Sequence, residues 1–220
     1  MPVRIGLQNI VTATWKSSME DAVREYEKEQ QDPGQIVFYG PSNFTRWKRE
    51  KWDHVPLREA ILGASGKPCC VNRGFGSSCT EHHLYYYDRM VRVLKPKVLV
   101  YAPGYGNAAT FGYSKEESWE LAQRVLAYAL TDFPDIHIYL EGTPANPKAT
   151  EEILAQRVIY NEWLQKFAEE TPNVTYVDRM NRMPSDKSFY VEDLTHYNQK
   201  GYDLYAELYR DVLKDELAQF

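Results

Sequence analysis

A chain of 220 residues, 43% hydrophobic and 26% charged, has the length of one domain and the apolar content to bury a core, which excludes a disordered chain. Its formal charge of −5 excludes the basic face that nucleic acid requires, and no apolar run approaches the ~18 residues of a membrane span. Residues 1–220 are therefore read as a single unit with neither nucleic acid nor membrane as partner. The 17 tyrosines and 5 tryptophans suit pocket walls and partly wet surfaces. Cys69, Cys70 and Cys79 are an odd set, and Met1–Leu7 lacks the apolar core of an export signal, so a reduced, cytoplasmic protein is expected.

Helical spacing begins at Trp15–Gln30, with apolar residues at Trp15, Met19, Ala22, Val23 and Tyr26. A short β-branched and aromatic run, Ile36–Tyr39, follows, and a second spans Pro68–Asn72. Helical period returns over Thr80–Leu94, then a strand at Val98–Tyr101 and a helix over Lys115–Ala129, opened by a capping box of Ser114 and Glu117. The strand Ile136–Leu140, the helix Ala149–Glu169, the strand Val174–Val177 and the helix Gln199–Leu217 complete the alternation. Runs as uninterrupted as Val98–Tyr101 suit strands buried on both faces. The fold class is therefore α/β, a three-layer αβα sandwich around a doubly wound parallel sheet of about five strands. In such sheets ligands bind beyond the carboxyl ends of the strands.

The residues just after each strand are accordingly the candidates. Tyr39-Gly40-Pro41-Ser42-Asn43 places a serine at the start of a helix, where free amides favour negative charge; taken alone, a plain helix cap is the commoner reason for such a serine. Asn72–Ser78 carries Gly74 and Gly76, which let a backbone approach a ligand or simply turn the chain. It is not a phosphate-binding loop, because no Gly-Lys-Ser/Thr follows. Ala102–Asn107 offers one side-chain amide, and Tyr101, Tyr105 and Tyr113 either line a pocket or pack in the core. Glu141–Pro147 is a long, proline-rich loop that borders a ligand or merely turns. Cys79 and His83 share a helix face, too few ligands for a closed metal site. Asp193 and His196 stand three apart before the last helix, placed for a carboxylate to orient an imidazole or for a surface ion pair.

Taken in order, these segments resemble the SGNH (GDSL-like) esterases and acylhydrolases. Val37–Ser42 is similar to the first block, whose serine is the nucleophile. Val71–Ser77 is similar to the second, and Tyr101–Asn107 with Gly112, Ser114 and Glu116 to the third. Asp193-Leu-Thr-His196-Tyr-Asn198-Gln-Lys-Gly201-Tyr202 resembles the fifth and is the most specific. Pro41 replaces the usual acidic or serine residue, Ser77 stands where a glycine is usual, and Asn107 comes two residues late with Ala108 in place of aspartate. The resemblance implies a flavodoxin-like sandwich with a triad of Ser42, Asp193 and His196. It implies an oxyanion hole from the amides of Ser42, Gly76 and Ser77 and the Asn107 side chain. Gly104 and Gly106 free the two-residue insertion to bulge outward with the Asn107 amide facing the oxyanion; the alternative is that the bulge carries Asn107 away and the Tyr105 hydroxyl fills the gap. Tyr105 and Asn43 are the candidate substrate contacts, and no metal or cofactor is needed. The implied substrate is a short acyl ester of a carbohydrate or small alcohol, taken by a monomer or small homo-oligomer. A non-catalytic glycan-binding protein is the second reading, and a nucleotide-binding domain the disfavoured third.

Overall fold

The computed structural model describes residues 19–220; Trp15 and Met1–Leu7 lie outside them. Five strands form one sheet: β1 (Ile36–Gly40), β2 (Cys70–Gly74), β3 (Val98–Tyr101), β4 (His137–Glu141) and β5 (Val174–Val177). All pairs are parallel and the order is β2-β1-β3-β4-β5, the flavodoxin-like arrangement that reverses direction between β1 and β3.

The period of two along each strand divides the core. Val37 and Tyr39 of β1, with Leu99 and Tyr101 of β3, face α1 (Glu20–Glu27), α4 (Thr80–Met90), α6 (Lys115–Asp132) and α7 (Glu151–Glu170). Ile36 and Phe38, with Val98 and Val100, face α2 (Ser42–Thr45), α3 (Leu57–Ala60), α9 (Gln199–Val212) and α10 (Lys214–Leu217). Fourteen of the seventeen tyrosines are buried, so they build these two cores rather than wet surfaces. Trp47 stacks on Tyr205 with ring centroids 5.0 Å apart, inside a cluster with Phe38, Phe44 and Tyr209. No helix among the described residues is long and apolar enough to cross a membrane.

The departures from the sequence reading have local causes. β2 starts at Cys70 rather than Pro68, because proline has no N–H for the ladder; Pro68 makes only an isolated bridge to Leu62. The helix read as Thr80–Leu94 ends at Met90, and Arg92–Leu94 form a short 3₁₀ turn closed by Lys95 at φ 44°. The helix read as Gln199–Leu217 breaks at Leu213 into α9 and α10. Of the segment Ala102–Asn107, expected as loop, Tyr105–Asn107 belong to a short helix, α5 (Tyr105–Thr110), behind Gly104 in the left-handed region. The capping box of Ser114 and Glu117 is present, with both reciprocal bonds.

Candidate active site

Ser42 is delivered to the sheet's carboxyl edge by a turn that leaves no room for side chains. A Cβ on Gly74 would lie 2.4 Å from the Thr45 amide nitrogen and 2.5 Å from Phe44 Cβ, so α2 sits directly on the end of β2. Gly74 therefore serves this packing and not a ligand. The cap position of α2 belongs to Pro41, whose carbonyl accepts from the amides of Phe44 at 3.0 Å and Thr45 at 3.3 Å. Ser42 is thus not occupied as a cap. Its Oγ lies 2.7 Å from His196 Nε2.

Behind the imidazole, His196 Nδ1 lies 2.7 Å from Asp193 Oδ2, a geometry that places the donating proton on Nδ1 and leaves Nε2 to accept from serine. The tight loop between them holds Leu194 at φ 55°, a strained conformation for a branched residue, which costs on the order of 1 kcal/mol. In return, the amides of Thr195 and His196 both donate to Asp193 Oδ1 at 2.9 Å, and Arg46 reaches Oδ2 at 3.3 Å. Burial alone would raise the Asp193 carboxyl, but the two amides and the imidazole hold it down at about 2. His196 is shifted below its ordinary 6.5, by burial first and against the pull of Asp193, with the cations of Arg46 and Arg179 adding to the fall. A permanently ionised carboxylate, a neutral imidazole and a hydroxyl in line can move the hydroxyl proton onto Nε2.

Ser42 opens onto a cleft lined by residues that follow β1, β3, β4 and β5, at the point where the strand order reverses. Its volume is about 90 Å³. A water needs about 10–15 Å³ on the same measure, so the cleft has room for a group of several heavy atoms. Asn43, Tyr105 and Asn107 line it; Gly76 and Ser77 lie in the loop after β2, outside its lining. Gly76 nonetheless faces open space, since a Cβ there would meet nothing within 4 Å. Asn107 sits on the first turn of α5, and its amide Nδ2 donates to the Ser78 carbonyl at 2.8 Å. The insertion therefore folds into a helix rather than bulging outward, and only one of the two Asn107 amide protons is left for a ligand. Tyr105 lines the cleft with its ring stacked on Tyr160 at 4.6 Å, whereas Tyr101 and Tyr113 belong to the core. Cys79 contacts His82 Nδ1 at 3.3 Å, while His83 is tied to Ser78 at 2.9 Å, so the paired face read for Cys79 and His83 does not form.

Two cleft residues, Arg157 and Arg179, were missed in the sequence, and Glu141 stood only as the start of a loop. Arg179, the second residue after β5, is 3% exposed and donates to the buried Glu141 carboxylate at 2.6 Å. Glu141, which ends β4, also accepts from the hydroxyls of Tyr205 and Tyr209. Burial would lower the Arg179 guanidinium, but Glu141 beside it holds it protonated well above the ordinary arginine range. Arg157, on α7, donates to the Pro144 carbonyl at 2.8 Å and closes the proline-rich loop onto the cleft. The rule that chemistry follows each strand, applied to β5 as it was to β4, leads to Arg179. Arg157 has no comparable mark beyond standing four residues before Asn161, whose amide holds Thr143 of the same loop.

No protein-family model matches the sequence, and no curated protein does. Among solved structures, the lipase/acylhydrolase from Enterococcus faecalis is similar at TM-score 0.66 and 19% identity, covering 83% of this chain and 96% of that one. A GDSL-like lipase from Bacteroides thetaiotaomicron is similar at TM-score 0.66 and 14% identity, covering 89% and 97%. A family 3 carbohydrate esterase from Clostridium thermocellum is similar at TM-score 0.64 and 14% identity, covering 84% and 97%. The fold is that of the SGNH (GDSL-like) hydrolases, a parallel five-stranded sheet with helices on both sides.

Proposed function

With that shared fold as the premise, we propose that this protein is a serine esterase that removes a short acyl group from a carbohydrate or small alcohol. The observation that carries the reading is the unbroken hydrogen-bonded line from Ser42 through His196 to Asp193, opening on a cleft at the sheet's switch point. Ser42 Oγ attacks the ester carbonyl as its proton passes to His196 Nε2. The imidazolium, held by Asp193, then protonates the leaving alcohol. Water attacks the acyl-enzyme with the same base, releasing the acid and restoring Ser42. The amides of Ser42 and Gly76 and the second Asn107 amide proton are the donors assigned to the oxyanion. The cleft has room for an acetyl-sized group.

Turnover of 4-nitrophenyl acetate across pH tests the base. His196 must be neutral to accept a proton, so the rate rises as pH climbs through its pKa and is lost as pH falls. Because that pKa is shifted below 6.5 in the free protein, the half-maximal point of kcat/KM should fall below pH 6.5 with a plateau above. A rate that climbs with a midpoint well above 6.5 contradicts this assignment. Asn107→Ala should slow turnover at saturating substrate by roughly 10²–10³-fold, the loss expected for one oxyanion donor. Tyr105→Phe should change it little, and a reversal of those two results transfers the role to the phenol.

A further inference from the structure

Three arginines stand around the Ser42 cleft, and two of them are spoken for. Arg46 faces Asp193 and Arg179 faces Glu141. Arg157 makes no ion pair among the described residues; its Nη1 meets only the Pro144 carbonyl, and its Nη2 lies 3.5 Å from where a Cβ on Gly106 would stand. Its guanidinium therefore spans the cleft wall from the loop after β4 to the loop after β3. Arg157 is shifted below the ordinary arginine range by burial and then by the positive charge of Arg179, so the two cations act on each other. Arg179, 3% exposed and part of the same wall, keeps its Nη2 buried with no hydrogen-bond partner. An unpaired buried guanidinium proton is costly, and an unneutralised second cation beside it adds to that cost. The charge term is relieved by one negative group in the cleft. One uncompensated positive charge matches a monoanion, and a planar carboxylate fits a guanidinium fork. Asn43 and Asn146 also line this wall.

We infer that the ester cleaved at Ser42 carries a carboxylate, seated between Arg157 and Arg179, so that the substrate is an ester with one anionic group on its alcohol or its acyl part rather than a neutral one. The inference rests on the esterase reading for its chemistry but not for its anion site, and the two are separable. Hydrolysis is compared within two pairs, one with the charge on the alcohol (O-acetylglycolate against propyl acetate) and one with it on the acyl side (monomethyl succinate against methyl butyrate). At low salt, kcat/KM for the charged member of at least one pair should exceed that of its neutral partner by about tenfold or more, the scale of one charge-assisted hydrogen bond. Arg157→Gln should lower that ratio about tenfold, and Arg157→Lys, which keeps the charge but not the fork, should fall between wild type and Arg157→Gln. Succinate binding, followed by calorimetry on the wild-type protein and on Arg157→Gln, should weaken by a similar factor. Ester hydrolysis that favours the neutral member of both pairs, or a ratio untouched by Arg157→Gln, overturns the anion site and leaves the esterase reading standing. Arg157-dependent succinate binding with no ester hydrolysed keeps the anion site and overturns the esterase reading. Neither binding nor hydrolysis overturns both.

Discussion

Ser42→Ala should lower kcat/KM for a simple ester by at least about 10⁴-fold while leaving the fold in place. The size of the loss follows from the geometry. His196 Nε2 has Ser42 Oγ at 2.7 Å, and without that hydroxyl the base has only water to activate. The cost to the fold is one partly buried hydrogen bond, about 0.5–1.5 kcal/mol. Because serine and histidine act as one unit, adding His196→Ala to Ser42→Ala should slow the enzyme hardly further. Steady-state kinetics on the two single variants and the double variant provide the check. A Ser42→Ala enzyme within tenfold of wild type, or losses that multiply, removes Ser42 from the chemistry.

Arg179→Ala should be the most destabilising of the site substitutions, by about 3–5 kcal/mol, because it strands a buried carboxylate. Glu141 is 2% exposed and would keep only the hydroxyls of Tyr205 and Tyr209 as donors. The ring of Tyr197 loses its cation as well, since the guanidinium carbon lies 5.2 Å from that ring centre and 4.6 Å from that of Tyr205. Pairing Arg179→Met with Glu141→Leu removes both charges and should restore a large part of the stability, though two tyrosine hydroxyls then lose their acceptor. Urea unfolding of the two single variants and the double variant separates these terms. A loss under about 1 kcal/mol for Arg179→Ala contradicts the account of a buried pair held by mutual neutralisation.

The order of strands and helices was legible because β1, β3 and β4 carry short, unbroken apolar runs and each long helix has a period of three and four. Where reading failed, the deciding information was tertiary. Pro68 reads as strand until the ladder demands an N–H. Tyr105–Asn107 reads as loop because Gly104 and Gly106 mask a helix started by a left-handed residue. Ser42, Asp193 and His196 stood out because their neighbours are distinctive and their spacing is local or block-like. Arg157 and Arg179 did not, since an arginine on a helix is ordinary until the fold turns it inward. What makes them notable is burial, the pairing of Arg179 with Glu141 across two strands, and the nearness of two like charges. None of these is written in local sequence.

The central claim is that Ser42 is a nucleophile activated by His196, and covalent labelling reads it directly. The wild-type protein is incubated with a fluorophosphonate at neutral pH, and the modified peptide is mapped by mass spectrometry. The account requires one phosphonyl group per chain, on Ser42, with labelling abolished in Ser42→Ala and strongly slowed in His196→Ala. A folded wild-type protein that takes no label, or takes it at a residue other than Ser42, contradicts the account and leaves the glycan-binding reading in its place.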